Sequence, residues 1–229
     1  MKVLTIATTV SMLAAAPLFA QEHGAQDPAG YVIGLGGFAS ALGNTTGDLR
    51  VEGGVRVAPH VTVFGNAGRF ANLQGDLQPT LDATTTALSA NQNLLLIGGG
   101  SLPATYLSGG VRVSVPTHSR VLPYALGGIG VARLNPSAQF TFSSGILPDG
   151  SIPTVGTDVT ASIAASGVFT NPPASNALMY TIGGGAQIPV AKHWVADAGY
   201  QYSRIAADTT LSASPLNTNG MTFGFGYRF

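Results

Sequence analysis

Six charged residues sit at alternating positions within stretches of small or apolar side chains: Arg50, Glu52 and Arg56, then Arg112, Asp197 and Arg228. Each falls on the face opposite a run of large apolar residues, because side chains in a strand alternate with a period of two. If the greasy faces are covered, by lipid or by a second sheet, these charges point inward. An uncompensated interior charge costs several kcal/mol, so inward charges must find partners. Two chemistries fit. One is a structural salt-bridge plug, which is the reading adopted here; the other is the charged constriction of a narrow pore.

Histidine offers less. His60, His118 and His193 each occupy an expected short turn, and His23 precedes the first strand. Metal coordination needs ligands within a few ångströms of each other, whereas separate turns are spread around a rim. Solvated turn histidines are therefore expected, with no metal site. No glycine-rich loop follows a strand and opens a helix, so no nucleotide site and no cofactor are expected. The chain has no cysteine, which excludes a thiolate nucleophile and a disulfide framework. Ten basic residues balance ten acidic ones, and only 9% of residues are charged, which argues against nucleic acid as a partner.

The elements that position these residues are strands. Residues 1–20 read as a secretory signal peptide, with Lys2 before an apolar run and Leu18-Phe19-Ala20 before the expected cut. The remaining 21–229 form one expected domain. Strands are expected over 31–39, 49–58, 61–72, 105–115, 121–134, 179–189, 194–203 and 221–229, with 43–48 as a turn. In the second strand Leu49, Val51, Val55 and Val57 oppose Arg50, Glu52 and Arg56. In the fourth, Leu107, Val111 and Val113 oppose Tyr106, Ser108 and Arg112. The fifth is expected to turn Leu122, Tyr124 and Leu126 outward. Leu81, Leu88 and Leu95 recur at heptad spacing, which predicts a helix over 79–95. The segments 139–143 and 157–161 alternate well enough to pair as a hairpin beyond the main sheet.

The connections alternate in length. Those after the second, fourth and sixth strands are short, and the others are longer, as in barrels with short periplasmic turns and long external loops. Before each short turn a glycine pair leads to a proline: Gly53-Gly54 to Pro59, Gly109-Gly110 to Pro116, Gly184-Gly185 to Pro189. Proline cannot continue a hydrogen-bonded ladder. The expected fold is all-β, an eight-stranded antiparallel up-and-down transmembrane β-barrel. A barrel of this size is filled by its own side chains, which favours the plug over the pore.

The closing stretch, with Met221, Phe223, Phe225, Tyr227 and Phe229 on one face, resembles the last strand of bacterial outer-membrane barrels. Together with Leu122 to Gly130 and Asp197 to Tyr202, it makes the chain similar to the OmpA-like, opacity-type family of small barrels. That resemblance implies a place in the outer membrane of a Gram-negative-type bacterium, among outer-membrane lipid and lipopolysaccharide. It implies that Phe229 is the signal read by the barrel-assembly machinery. It also implies a monomer acting as a structural or adhesin-like, surface-interaction protein through long loops that meet an extracellular ligand or surface. The alternatives are a narrow, porin-like channel for small solutes and, third, a lipid-modifying enzyme. The last would need His and Ser with a carboxylate near the outer leaflet. There Asp48, Asp76, Asp82 and Asp208 have no histidine beside them, so no enzyme and no catalytic residue are expected.

Three placements follow for testing against a structure. Trp194, Tyr124 and Tyr227 should form one membrane-interface girdle and Tyr180 and Tyr202 the other, about 25 Å apart. Asp197 should lie among Arg112, Arg56 and Arg228, with Glu52 slightly higher. The loop 135–177, poor in large apolar residues, should be the most mobile external segment.

Overall fold

The computed structural model describes residues 29–41, 44–73, 77–117, 119–206 and 215–229. In chain order the elements are β1 (Gly30–Ala41), β2 (Asn44–Ala58), β3 (Val61–Phe70), α1 (Leu77–Gln92), β4 (Leu95–Ser101) and β5 (Ala104–Ser114). They continue with β6 (Leu122–Leu134), β7 (Ser137–Ser144), α2 (Thr160–Ala165), β8 (Ser175–Pro189), β9 (Trp194–Ile205) and β10 (Leu216–Arg228). Eight strands close into one antiparallel barrel in the order β1-β10-β9-β8-β6-β5-β3-β2. β10 pairs with β1 from Tyr31↔Arg228 to Ala41↔Thr218, which leaves the barrel without an open edge. The expected fold class is the observed one.

The polarity of the barrel is inverted relative to a water-soluble one. Inward positions carry buried Asp48, Arg50, Glu52, Asn66, Ser108, Arg112, Asp197, Gln201 and Thr222. Outward positions expose Leu49, Val51, Leu107, Ile129, Ile182, Phe223 and Phe225. Such a surface belongs in an apolar solvent, and a closed barrel is the sheet that can enter one with every backbone group paired. Among the described residues no helix is long and apolar enough to cross a membrane. The crossing elements are strands.

Two ends differ sharply. At one end the turns are short. Pro59-His60 is so tight that His60 adopts a left-handed backbone (φ 64°), a conformation more accessible to histidine than to most residues. At the other end two long connections fold together. β4, from the connection after β3, pairs with β7, from the connection after β6, as a separate two-stranded sheet. α1 packs on β4, where Gly98 and Gly100 leave room for Leu77, Leu81 and Thr85.

This platform corrects three expectations. The helix runs from Leu77 to Gln92 and buries Leu77, Leu81 and Leu88; Leu95 opens β4 instead and is exposed. The 139–143 segment takes β4 as its strand partner, and the 157–161 segment adds only an isolated bridge, Thr141↔Asp158. The loop after β6 is packed, since Phe140, Phe142, Leu147, Val159, Ile163 and Phe169 share a core with α1, Leu94 and Leu96. These apolar residues are scattered over a polar stretch, so the segment's average composition conceals them.

Within the barrel, strands begin earlier than turn-forming residue types indicate. Asn44 to Asp48 belongs to β2, and Leu216 to Gly220 to β10. The fifth barrel strand, β6, is inverted in phase. Tyr124 and Leu126 point inward, while Ala125, Ile129 and Val131 point outward. The ladder to β5 runs unbroken from Ala104↔Leu134 to Ser114↔Tyr124. With no bulge to change parity, the outward Ile129 and Val131 fix Tyr124 on the inner face. Tyr124 is therefore not a membrane-interface residue. The expected signal peptide at 1–20, with His23, Asp76, His118 and Asp208, lies outside the described residues.

Candidate functional site

Three tyrosines organise the lumen, and each lies directly across the sheet from a glycine: Tyr31↔Gly54, Tyr106↔Gly68 and Tyr124↔Gly185. A Cβ on Gly54 would sit 2.7 Å from the Tyr31 ring, and one on Gly68 2.6 Å from the Tyr106 hydroxyl. On Gly185 it would sit 2.7 Å from the Tyr124 hydroxyl, and Gly199 next to it would place one at 2.8 Å. The rings fold over backbone that only glycine leaves open.

Each tyrosine then donates to a carboxylate. Tyr31 bonds Glu52 at 2.8 Å, Tyr106 bonds Asp48 at 2.7 Å and Tyr124 bonds Asp197 at 2.8 Å. Two arginines pair with the three acids. Arg112 reaches Glu52 at 2.5 Å and Asp197 at 3.4 Å, and its guanidinium lies 3.9 Å from the Tyr124 ring centroid and 5.0 Å from that of Tyr31. Arg50 meets Asp48 at 3.4 Å and Thr222 at 3.2 Å. All of these side chains are buried. Charge-assisted bonds of this kind satisfy ions removed from water, and the aromatic faces add cation–π attraction.

The hubs are capped toward the loop end. Toward the loop end, Leu73, Leu102, Leu134, Met179, Ile205 and Leu216 form an apolar lid. Backbone bonds tie it shut, with Leu73 N donating to Leu102 O and Asn135 N to Pro103 O. Around Asp48, Arg50, Gln201 and Thr222 a gap of about 10 Å³ remains, at the lower limit for one water. At the level of the hubs, Ile33, Leu35 and Val195 pack with Tyr31, and Phe64 and Leu126 pack with Tyr124, while the short-turn end opens on a cavity of about 220 Å³.

The structure brings Glu52, Arg112 and Asp197 together, and Arg56 and Arg228 lie toward the short-turn mouth. Asp197 is in register with Gly224, so Arg228 lies nearer the short-turn rim, where its register partner is Tyr31. Arg56, Thr62 and Arg112 are in mutual register, but strand tilt puts residues in register at different depths. Arg56 is exposed and Arg228 half-buried, and both line a cavity at the short-turn mouth. Asp48, expected in an external turn, is inside as the acid of the upper hub. Asp82 is on α1, where Gln78 donates to it.

Of the outward aromatics, Trp194 stacks on Phe225 with centroids 5.1 Å apart and meets Tyr227 edge-on at 5.6 Å. His193 stacks on Tyr227 at 5.3 Å. Near the other end, Tyr180 is exposed and Tyr202 donates to Asn217. Phe229 exchanges two backbone bonds with Gly30, each of 3.0 Å, at the seam of the barrel. Among the described residues no group of three or more His, Asp or Glu could hold a metal.

A family model described as "Outer membrane protein beta-barrel domain" matches residues 6–229. The chain belongs to this family. Its setting is accordingly the outer membrane, in agreement with the lipid-facing exterior. No curated protein sequence matches the chain. Among solved structures, Neisserial surface protein A is similar at 15% identity and a TM-score of 0.53, over 90% of this chain and 100% of that one. Ail, the attachment invasion locus protein of Yersinia pestis, is 15% identical with a TM-score of 0.46, over 89% of this chain and 100% of that one. The N-terminal β-barrel domain of Pseudomonas aeruginosa OprF is 11% identical with a TM-score of 0.44, over 89% of this chain and 100% of that one. At such identities the likeness to the Neisserial protein is one of fold.

Proposed function

We propose that this outer-membrane barrel is a non-conducting, non-enzymatic protein that works through its loop-end platform, as a structural or adhesin-like surface-interaction protein. The observation that carries the reading is the contrast between a filled lumen and an ordered platform. Apolar residues close the lumen toward the loops, and the paired hubs fill it below them. The platform has its own core and still exposes Ile97, Ile152 and Val155, each to at least 66%. Exposed apolar side chains on a structured loop face favour contact with another surface.

In this reading residues 1–20 are a cleaved signal peptide, the short turns face the periplasm and the platform faces outward. Trp194 and Tyr227 anchor one interface and Tyr180 and Tyr202 the other, in contact with lipid and lipopolysaccharide. Phe229 serves the barrel-assembly machinery, and the protein acts as a monomer. The buried set Glu52, Arg112 and Asp197 is the structural plug.

Planar-bilayer recording separates this from the channel. Refolded protein should give no stepwise conductance, and discrete openings that persist in the purified monomer would reverse the reading. In parallel, cells displaying the protein should adhere to a host-cell layer more than cells displaying Phe140→Ala, which loosens the platform core. Equal adherence would remove the platform from the function.

A further inference from the structure

The barrel strands turn few charges toward the membrane, and those few share one sign and one end. Arg69 on β3, Arg133 on β6 and Arg204 on β9 are exposed at outward positions. Arg69 follows the parity of Val63, Arg133 that of Ile129 and Val131, and Arg204 that of Tyr200, all of them exposed. No acidic residue takes an outward position in a barrel strand. The described acids outside the lumen, Asp82, Asp149 and Asp158, belong to the platform, where they accept from Gln78, Ser151 and Thr160. Arg69 and Arg204 bond no described residue, and Arg133 donates only from Nε, to Asn135 Oδ1 at 3.4 Å. An arginine facing hydrocarbon is costly, so outward arginines mark the level of the lipid headgroups.

The register brings the three to one level. A circuit of paired residues that leaves Tyr31 through β2 and returns through β10 meets β1 again at Ala41, ten residues nearer the loop end. Each step from β3 toward β9 therefore climbs a little over one residue. Arg69 and Arg133 flank Thr105 in one row, two strand spacings or about 10 Å apart. Arg204 is in register with Tyr180, four residues below Asn176, the partner of Arg133. The climb offsets most of that difference, which leaves the three positions within about 6 Å of each other in height. Directly membrane-ward of the Arg69–Thr105–Arg133 row come the paired Leu107 and Val131, then Ile129, all exposed. On the opposite wall β1 and β2 expose Phe38 and Leu49 instead.

We infer that this half of the wall is a docking surface for a phosphate-bearing lipid of the leaflet at the loop end. Its headgroup phosphate is held between Arg69 and Arg133, and its acyl chains lie along Leu107, Val131 and Ile129. The planar guanidinium fork matches phosphate oxygens in pairs, and two long side chains about 10 Å apart at the backbone converge on one headgroup. Thr105 adds a hydroxyl between them. A free phosphate would meet the arginines alone, whereas a lipid meets both the arginines and the apolar row beneath them. Arg204, on the far side of β8, extends the basic wall to a second headgroup. The inference rests on the lipid contact that the proposed function gives to Tyr180 and Tyr202, and it is independent of what the platform binds.

Native mass spectrometry of the folded protein of residues 21–229 in detergent micelles tests the surface, with lipid A, a phosphorylated glycolipid, as the probe. The same glycolipid stripped of its phosphates is the control. The protein should retain lipid A saturably and the stripped glycolipid far less tightly. Arg69→Gln combined with Arg133→Gln should weaken lipid A binding about 25-fold, or about fivefold for each basic charge removed beside the lipid surface. Both side chains are exposed, so this variant should keep the heat-modifiable gel shift of a folded barrel. Lys192→Gln removes a charge from the turn between β8 and β9, at the other end, and should leave binding unchanged. Equal affinity for the stripped glycolipid, or an equal loss per charge in Lys192→Gln, would overturn the site. Displacement of lipid A by inorganic phosphate would reassign the arginines to a free anion and overturn the lipid. Adherence and conductance do not enter these readouts, so failure here leaves the platform reading untouched.

Discussion

The barrel lumen and the loop-end platform are two cores of opposite chemistry in one chain. The platform is conventional: Phe140, Phe142, Leu81, Leu96 and Ile163 pack together while charged residues face water. The lumen buries three carboxylates and two arginines, with an apolar layer above them toward the loops and smaller apolar clusters beside them. The difference lies in what surrounds each core. Burial of apolar area drives the platform together from water. The barrel's outward side chains gain nothing by moving inward, because lipid is as apolar as the interior. The lumen can then hold polar groups so long as each is bonded, and specific pairs replace apolar bulk as what orders it.

The sharpest way to break this contrast is to unpair the lower hub. Arg112→Ala leaves Glu52 and Asp197 buried, with the Tyr31 and Tyr124 hydroxyls as their hydrogen-bond donors. The expected loss is about 3–5 kcal/mol in urea unfolding in detergent, as for other buried pairs deprived of one partner. Asp197→Ala should cost less, because Arg112 keeps Glu52. A loss near zero for Arg112→Ala would mean that water screens the hub and that the lumen is open.

Next in size is a cut into the platform core. Phe140 has no exposed surface and meets Phe169 edge-on at 5.2 Å. Phe140→Ala should cost about 3 kcal/mol of local stability. Protease should then cleave within 137–170 while the heat-modifiable gel shift of the barrel is unchanged. A changed gel shift would show that the two cores are coupled rather than separate.

These residues also mark how far the sequence carries. Period-two alternation identified the barrel and the inward face of Glu52, Arg112 and Asp197, since a continuous ladder leaves no freedom of parity. It misplaces Tyr124, because bulk does not mark the outward face in a strand with large residues on both faces. The tyrosine of an inward ring can be found instead by its cross-strand glycine, but that pairing needs a register, which neither strand contains alone. The platform was less legible. β4 and β7 come from different loops, and their pairing is a long-range contact without a local signal. The depth of Arg56 and Arg228 depends on strand tilt, a property of the closed barrel.

The glycine–tyrosine device predicts an intermediate effect. Gly54→Ala adds a methyl group 2.7 Å from the Tyr31 ring and 2.9 Å from Thr62. The ring must move, and its bond to Glu52 stretches or breaks. Overpacking of this kind costs about 1–3 kcal/mol. The double variant Tyr31→Phe with Gly54→Ala should cost less than the sum of its single variants if the tyrosine bond is what the methyl disrupts. Strict additivity would place the strain elsewhere.

The smallest effect is expected where the platform's acids meet water. Asp158 accepts from the Thr160 hydroxyl at 2.6 Å and from Thr160 N at 2.9 Å, and the same hydroxyl accepts from Phe140 N on β7. The Thr160 hydroxyl, followed by its backbone N–H, holds the Asp158 carboxyl below the ordinary aspartate range. A lowered folded value means that the folded state favours the ionised form. Its contribution is therefore complete above the unfolded aspartate value, about 3.9, and is lost as pH falls through the lower folded value. Full exposure keeps that contribution small. The Thr160 amide proton resonance should titrate with a midpoint below the ordinary aspartate value, and Asp158→Asn should abolish the titration. A midpoint at the ordinary value would mean that the turn joining Asp158 and Thr160 to β7 is not held in solution, and the platform would then lose one of its ties between loop and sheet.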